Sequence, residues 1–200
     1  MITLQMVPEP VRGWRIYGYR FPDRDEYYGT MRCNPFVPEY YTLLEHGEPV
    51  LDIRQTSLKQ VILLYLFKLF TRYGKCFPRY HVFSSKGEIG ESAAEFSWMG
   101  HTFVIQGDTY VLRQHSHNVG SLTKNGRQIA RYRWKLILKP WWDQSELVEI
   151  EYLSESDERV VLTFALLFYG FFHVNDNSIY RVFFRDKDKH LAHWESQEAK

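Results

Sequence analysis

The sequence predicts a mainly β protein in which repeated hairpins close into a barrel around one buried apolar helix. Three observations lead there. Val160 to Phe172, VVLTFALLFYGFF, carries no charged residue. A unit of strand, polar turn with glycine, and returning strand recurs along the chain from Tyr40 to Leu138. Aromatic residues make up 17% of the chain, with Tyr and Phe at 14 each, and aromatic side chains favour strands.

The apolar stretch sets the architecture. A surface helix shows one apolar stripe, whereas Val161, Leu162, Phe164, Ala165, Leu166, Phe168 and Phe171 leave no polar side. Such a helix is buried all round or sits in a membrane. Its length rises about 20 Å as a helix, and a membrane span needs about 20 residues. Asp157, Glu158 and Arg159 bound it on one side and Asp176 on the other. A short apolar run is also compatible with a strand, but this one is long for a strand. Ser156 or Asp157 offers an N-cap, and Asp157 and Glu158 suit the positive end of the helix dipole. The expectation is a helix over about 158–173. It needs a wall on every side, which a closed sheet of short strands supplies.

Residues 1–35 are punctuated by Pro8, Pro10, Gly13, Pro22 and Pro35 and read as an arm packed on the main body, with one strand from Trp14 to Phe21. From Tyr40 the hairpins begin. Tyr40–Leu44 and Pro49–Gln55 flank a turn at 45–48, and Arg79–Phe83 and Glu88–Ser92 flank Ser85-Lys86-Gly87. His101–Gln106 and Thr109–Gln114 flank Gly107-Asp108, and Val119–Thr123 and Arg127–Leu138 flank Asn125-Gly126. Asn-Gly between two such runs is the strongest short hairpin signal, because both turn positions favour positive φ. Leu147–Leu153 adds a strand before the helix. Ser57 to Arg72, SLKQVILLYLFKLFTR, is too long and too apolar for a hairpin loop and reads as an extra helix. It either packs on the barrel or lies in a membrane interface. The expected organisation is an arm over 1–35, one barrel domain over 36–184 and a charged tail over 185–200.

The formal net charge of +1 gives no general pull toward nucleic acid or acidic partners. Cys33 and Cys76 follow no metal or redox spacing and read as two free thiols in a reducing compartment. MITLQMVPEP has no basic lead and no long apolar core. The expected location is cytoplasmic, with peripheral contact at the inner membrane face.

The stretches RYHVFSSKGEIGE at 79–91, HTFVIQGDTYVL at 101–112, VGSLTKNGRQIARYRWK at 119–135 and VVLTFALLFYGFF at 160–172 resemble the tubby C-terminal-like superfamily. That group includes tubby, the LURP-one-related proteins and the phospholipid scramblases. The resemblance covers roughly residues 36–175. It implies a closed antiparallel barrel of about 12 strands threaded by the helix, an expectation that follows from the family and not from the spacing. The chain departs from the family in its long N-terminal arm, its apolar 57–72 insertion and the residues after the helix.

Candidate chemistry is sparse. His115 and His117 form His-x-His, which on a strand shares one face as a metal site needs. The pair sits at a strand end with no further ligand nearby in sequence, so two exposed turn histidines are the simpler reading and no metal is expected. His190 and His193 lie in the charged tail and read the same way. No nucleophile elbow, P-loop, dinucleotide fingerprint or zinc-protease motif is present, so neither an enzyme nor a cofactor is expected.

The basic stretch is more telling. Lys124, Arg127, Arg131, Arg133, Lys135 and Lys139 fall in a run without an acid, and Trp141 and Trp142 follow. Arg131, Arg133 and Lys135 share one face of a strand. One reading is an anionic-lipid contact with aromatic anchors, made by Lys124, Arg127, Lys139, Trp141 and Trp142. The other is a cross-strand ion ladder in which Glu149 and Glu151 lie opposite Arg133 and Lys135. The leading function is therefore a non-catalytic binding module at a membrane surface, and the runner-up is a protein-interaction scaffold without lipid binding. Nucleic acid is not expected as a partner, because no stacking platform accompanies the cations.

Overall fold

The computed structural model describes residues 1–9, 16–32, 38–55, 80–92, 100–116, 118–137 and 145–170. Twelve strands among them close into an antiparallel barrel. They are β1 (Ile2–Glu9), β2 (Ile16–Arg20), β3 (Tyr27–Arg32), β4 (Tyr40–Glu45), β5 (Glu48–Gln55) and β6 (Tyr80–Ser84). The second half is β7 (Gly87–Ser92), β8 (Gly100–Ile105), β9 (Asp108–Ser116), β10 (Val119–Lys124), β11 (Arg127–Ile137) and β12 (Ser145–Tyr152). Each strand pairs with its neighbours in sequence, and β1 pairs with β12 to remove the last edge. Closure leaves no row of unpaired backbone groups.

The N-terminal arm expected over 1–35 is instead part of the wall. Those residues supply β1, β2 and β3, with Leu4, Met6, Tyr19, Tyr27 and Met31 in the core. Prolines hid this in the sequence. Pro8 lies inside β1, but there β1 has already left β12, which it pairs over Ile2–Met6, and pairs β2 alone over Val7–Glu9. A proline is tolerated where one side of a strand needs no donor.

Four hairpins turn on two residues. His46-Gly47, Gln106-Gly107 and Asn125-Gly126 all have positive φ at both positions, the geometry that matches the twist of the flanking strands. The β6–β7 hairpin turns on Ser85-Lys86 with Gly87 at φ 118°.

A short 3₁₀ turn at Glu155–Asp157 leads into helix α1 (Glu158–Tyr169). Asp157 is the N-cap residue by position, but its side chain makes no cap hydrogen bond. It has another partner, described below. Val161 to Phe168 are 1% exposed or less, and they form one core cluster with alternate residues of the strands. Thr163, the polar member, donates to the Arg159 carbonyl at 2.8 Å and so costs little. Phe164 packs edge-on to Phe103 of β8 and stacks with Tyr110 of β9. Phe168 stacks with Tyr132 of β11, whose hydroxyl donates to the Val161 carbonyl at 3.0 Å. Two glycines permit the approach. A Cβ at Gly29 would meet Leu166 at 2.6 Å, and one at Gly120 would meet the Phe168 ring at 2.5 Å. No helix among the described residues is long and apolar enough to cross a membrane. The helix expected over 57–72 and the tail expected over 185–200 lie outside the described residues.

The alternation of strand directions gives the barrel two unlike rims. One carries the four two-residue hairpins, the 21–26 turn and the start of α1. The other is where 10–15, 33–39, 56–79, 93–99, 117–118 and 138–144 join their strands. Helix α1 runs from the first rim toward the second, antiparallel to β12: Glu158 meets Tyr152 at the end of β12, and Tyr169 meets Glu146 near its start.

Candidate functional site

The basic stretch divides into a ladder and a pair at a hairpin end. On the strands, β11 and β12 register Arg131 opposite Glu151 and Arg133 opposite Glu149. Arg131 Nη1 lies 3.9 Å from Glu151 Oε2, and Arg133 Nη1 lies 3.6 Å from Glu149 Oε2. Lys135 stands opposite Leu147 and reaches diagonally to Glu149. The ion ladder is thus present, set one pair further toward Arg131 than expected. Arg131 is buried in the wall, while Arg133 and Lys135 are more exposed and share the Glu149 carboxylate.

Lys124 is matched as well, from a direction the β11–β12 hairpin does not show. Its ammonium lies 3.0 Å from Asp157 Oδ1 and 3.2 Å from Asp108 Oδ2, over the Tyr110 ring at 5.6 Å. The hydrogen bond to Asp157, then that to Tyr110, holds the ammonium above the usual lysine range. Asn125 donates to Asp108 at 2.7 Å, and this bond followed by Lys124 lowers the Asp108 carboxyl. Asp157 is 33 positions from Lys124, so nothing local in sequence announces the pair.

Three consecutive residues at the start of α1 bind three separate parts of the barrel. Asp157 takes Lys124 of β10. Glu158 accepts from Arg24 Nε of the β2–β3 turn at 2.8 Å and from the buried Tyr152 hydroxyl. Arg159 Nη2 lies 2.7 Å from Glu45 Oε2 of β4. Hydrogen bonding to Glu158 pushes Arg24 up, and burial pushes Tyr152 up.

Of the expected lipid contacts, Lys124 and Arg127 sit together at one hairpin end, where they are register partners, and Arg127 is exposed. Strand β11 then carries the chain to Ile137 at the other rim, roughly 33 Å along the strand at 3.3 Å per residue. Lys139, Trp141 and Trp142 lie outside the described residues, in the connection that leaves β11 there. Of the five expected residues, the structure therefore places only Lys124 and Arg127, both at the two-residue-turn rim.

Elsewhere, His115 Nε2 is 2.6 Å from Ser121 Oγ, and His117 lies outside the described residues. Among the described residues no three His, Cys, Asp or Glu side chains converge as metal ligands. His101 is buried on β8 and its pKa is lowered to about 4 by burial. Near it, Glu39 Oε2 accepts from the hydroxyls of Tyr41 at 3.0 Å and Tyr80 at 2.8 Å. Tyr80 lies 41 positions from Glu39, so nothing local in sequence announces this polar group.

No family model, curated protein or solved structure matches the chain. What the described residues define is a closed antiparallel barrel with one helix.

Proposed function

We propose that the chain is a non-catalytic, tubby-like binding module that acts at a membrane surface through anionic lipid headgroups. The contact is assigned to Lys139, Trp141, Trp142 and the 57–72 segment, with Lys124 and Arg127 outside it. One observation carries this reading. The connection 56–79 leaves β5 at Gln55 and returns at Tyr80, and 138–144 leaves β11 at Ile137 and returns at Ser145. These four strand ends lie on one rim, so the two stretches with membrane-contact chemistry in the sequence are joined to the barrel at the same end. Tryptophan and lysine together suit the headgroup layer. Lys124 is already neutralised by two carboxylates and has little attraction to spare.

In this reading α1 lies along the barrel lumen as a central plug. Its contacts with Tyr19, Phe103, Tyr110 and Tyr132, from four different strands, support that placement. A filled lumen directs recognition to the outside of the molecule.

Co-sedimentation with phosphoinositide-containing liposomes at low salt tests the reading. Binding is expected to be salt-sensitive, because exposed charges are screened over about 10 Å at 0.1 M salt. Changing Lys139 to Gln with Trp141 and Trp142 to Ala should remove it, while Lys124→Gln with Arg127→Gln should leave it in place. Wild-type protein that stays in the supernatant overturns the membrane reading and leaves the scaffold reading in its place.

A further inference from the structure

We infer that the outer wall over β9, β10 and β11 holds a phosphomonoester, gripped by Arg113 and Arg133 beside a His115 ring that Ser121 positions. The site lies on the side of the barrel and stands or falls without the membrane reading above.

Side chains alternate across a strand. Leu112, Gly120 and Tyr132 face inward, where Gly120 and Tyr132 meet Phe168 of α1. Their neighbours Arg113, Ser121 and Arg131 therefore face outward. These three form one row, because Ser121 registers with Arg113 on one side and Arg131 on the other. Two residues further along the strands, Val119 registers with Arg133. On β9 the register slips: Val119 pairs Ser116 and Gly120 pairs Gln114, so His115 is the extra residue of a β-bulge. Bulges re-aim side chains, and this one brings His115 Nε2 to 2.6 Å from Ser121 Oγ.

Long side chains thus surround short ones. Arg113 and His115 stand on β9, and Arg131 and Arg133 stand on β11. The two pairs are about 10 Å apart across the sheet, and the members of each are about 7 Å apart along it. Between them β10 carries Val119 and Ser121, both buried. The result is a basic frame over a low floor, wide enough for one phosphoryl group.

The frame keeps a positive surplus. Toward β8, Arg113 registers with Gly100 and Val111 with Thr102, so no carboxylate stands opposite. Arg113 is exposed and has no ion-pair partner among the described residues. Toward β12, Glu149 and Glu151 answer Arg131, Arg133 and Lys135. Four cations therefore face two acids, an excess of two. A phosphomonoester carries about −1.5 to −2 charge at neutral pH. Its tetrahedral oxygens meet donors on several sides at once, whereas a carboxylate offers two oxygens in one plane and suits a single guanidinium fork.

Calorimetric titration of the full chain with inorganic phosphate and with glycerol 3-phosphate tests this in the absence of any membrane. Both should bind, and Arg113→Gln should weaken both by about tenfold. Lys86→Gln with Arg127→Gln, which removes two exposed cations at the two-residue-turn rim, should leave binding unchanged. Phosphate should also shift the His115 ring resonances, assigned by their loss in His115→Gln, and should not shift them in Arg113→Gln. Phosphatidylcholine vesicles with phosphatidic acid present the same monoester on a lipid. Co-sedimentation that Arg113→Gln abolishes would make the ligand a lipid headgroup. Glycerol 3-phosphate binding without such co-sedimentation would make it a soluble ester, and either result supports the site. Wild-type protein that binds no phosphate, Arg113→Gln protein that binds it equally well, or an equal loss in the Lys86 and Arg127 variant overturns the proposal.

Discussion

The two rims of the barrel are built by different means. At the two-residue-turn rim the chain reverses with positive-φ pairs, and the charges answer one another across long sequence distances: Lys124 to Asp157, Arg24 to Glu158, Arg159 to Glu45. These groups are occupied by one another. At the other rim the connections are longer, more basic and rich in tryptophan. The lesson is that a run of cations in sequence says little until strand direction assigns each one to an end and closure shows which carboxylate it meets. Lys124 and Lys139 belong to one acid-free stretch, yet β11 parts Lys124 from the strand end that leads into Lys139.

The largest test of the comparison lies between the rims. Leu166 is fully buried and packs against Gly29. Leu166→Asp would bury a carboxylate without a partner, at a cost of several kcal/mol, which is most of the stability of a domain this size. A variant with an unchanged melting temperature would mean that α1 does not tie the two ends together.

A smaller effect is expected near the longer-connection rim. His101 is neutral when folded, with a pKa of about 4 against an ordinary 6.5. Between those values the unfolded chain binds the extra proton, so stability rises with pH. The contribution is fully present above about pH 6.5 and is lost as pH falls toward 4. It amounts to about 3 kcal/mol at 1.36 kcal/mol per pKa unit. Denaturant melts of wild type and His101→Phe across this window should diverge in slope. Equal slopes would remove His101 as the acid-sensitive group.

The smallest effect belongs to the two-residue-turn rim. Lys124 is about a third exposed, so Lys124→Gln should cost only about 0–1 kcal/mol despite its two carboxylate partners. The loss should shrink as salt is added and should not touch liposome binding. A fall in binding equal to that of the Lys139 and tryptophan variant would erase the functional difference between the ends.

Much of the wall was legible locally. Asn125-Gly126 marks its hairpin because two adjacent positive-φ positions suit those residues. His46-Gly47 and Gln106-Gly107 adopt the same geometry, although the sequence reading set the third turn one residue late, at Gly107-Asp108. Strands β1 and β3 were not legible. Pro8 interrupts the first, and Gly29 in the second is a packing requirement set by Leu166, far along the chain.

By itself the sequence determined the periodicity: alternating strands, glycine-bearing turns, and an apolar helix with acids at its start. These follow from backbone propensity and side-chain spacing within a few residues. Only the tertiary structure decided that residues 1–35 help close the barrel, that Arg131 joins the ladder, and that Asp157 serves Lys124 instead of capping its own helix. The physical reason is that pairing and charge matching are contacts between residues far apart in the chain. Their energies appear only when closure brings β1 against β12 and the start of α1 against β10.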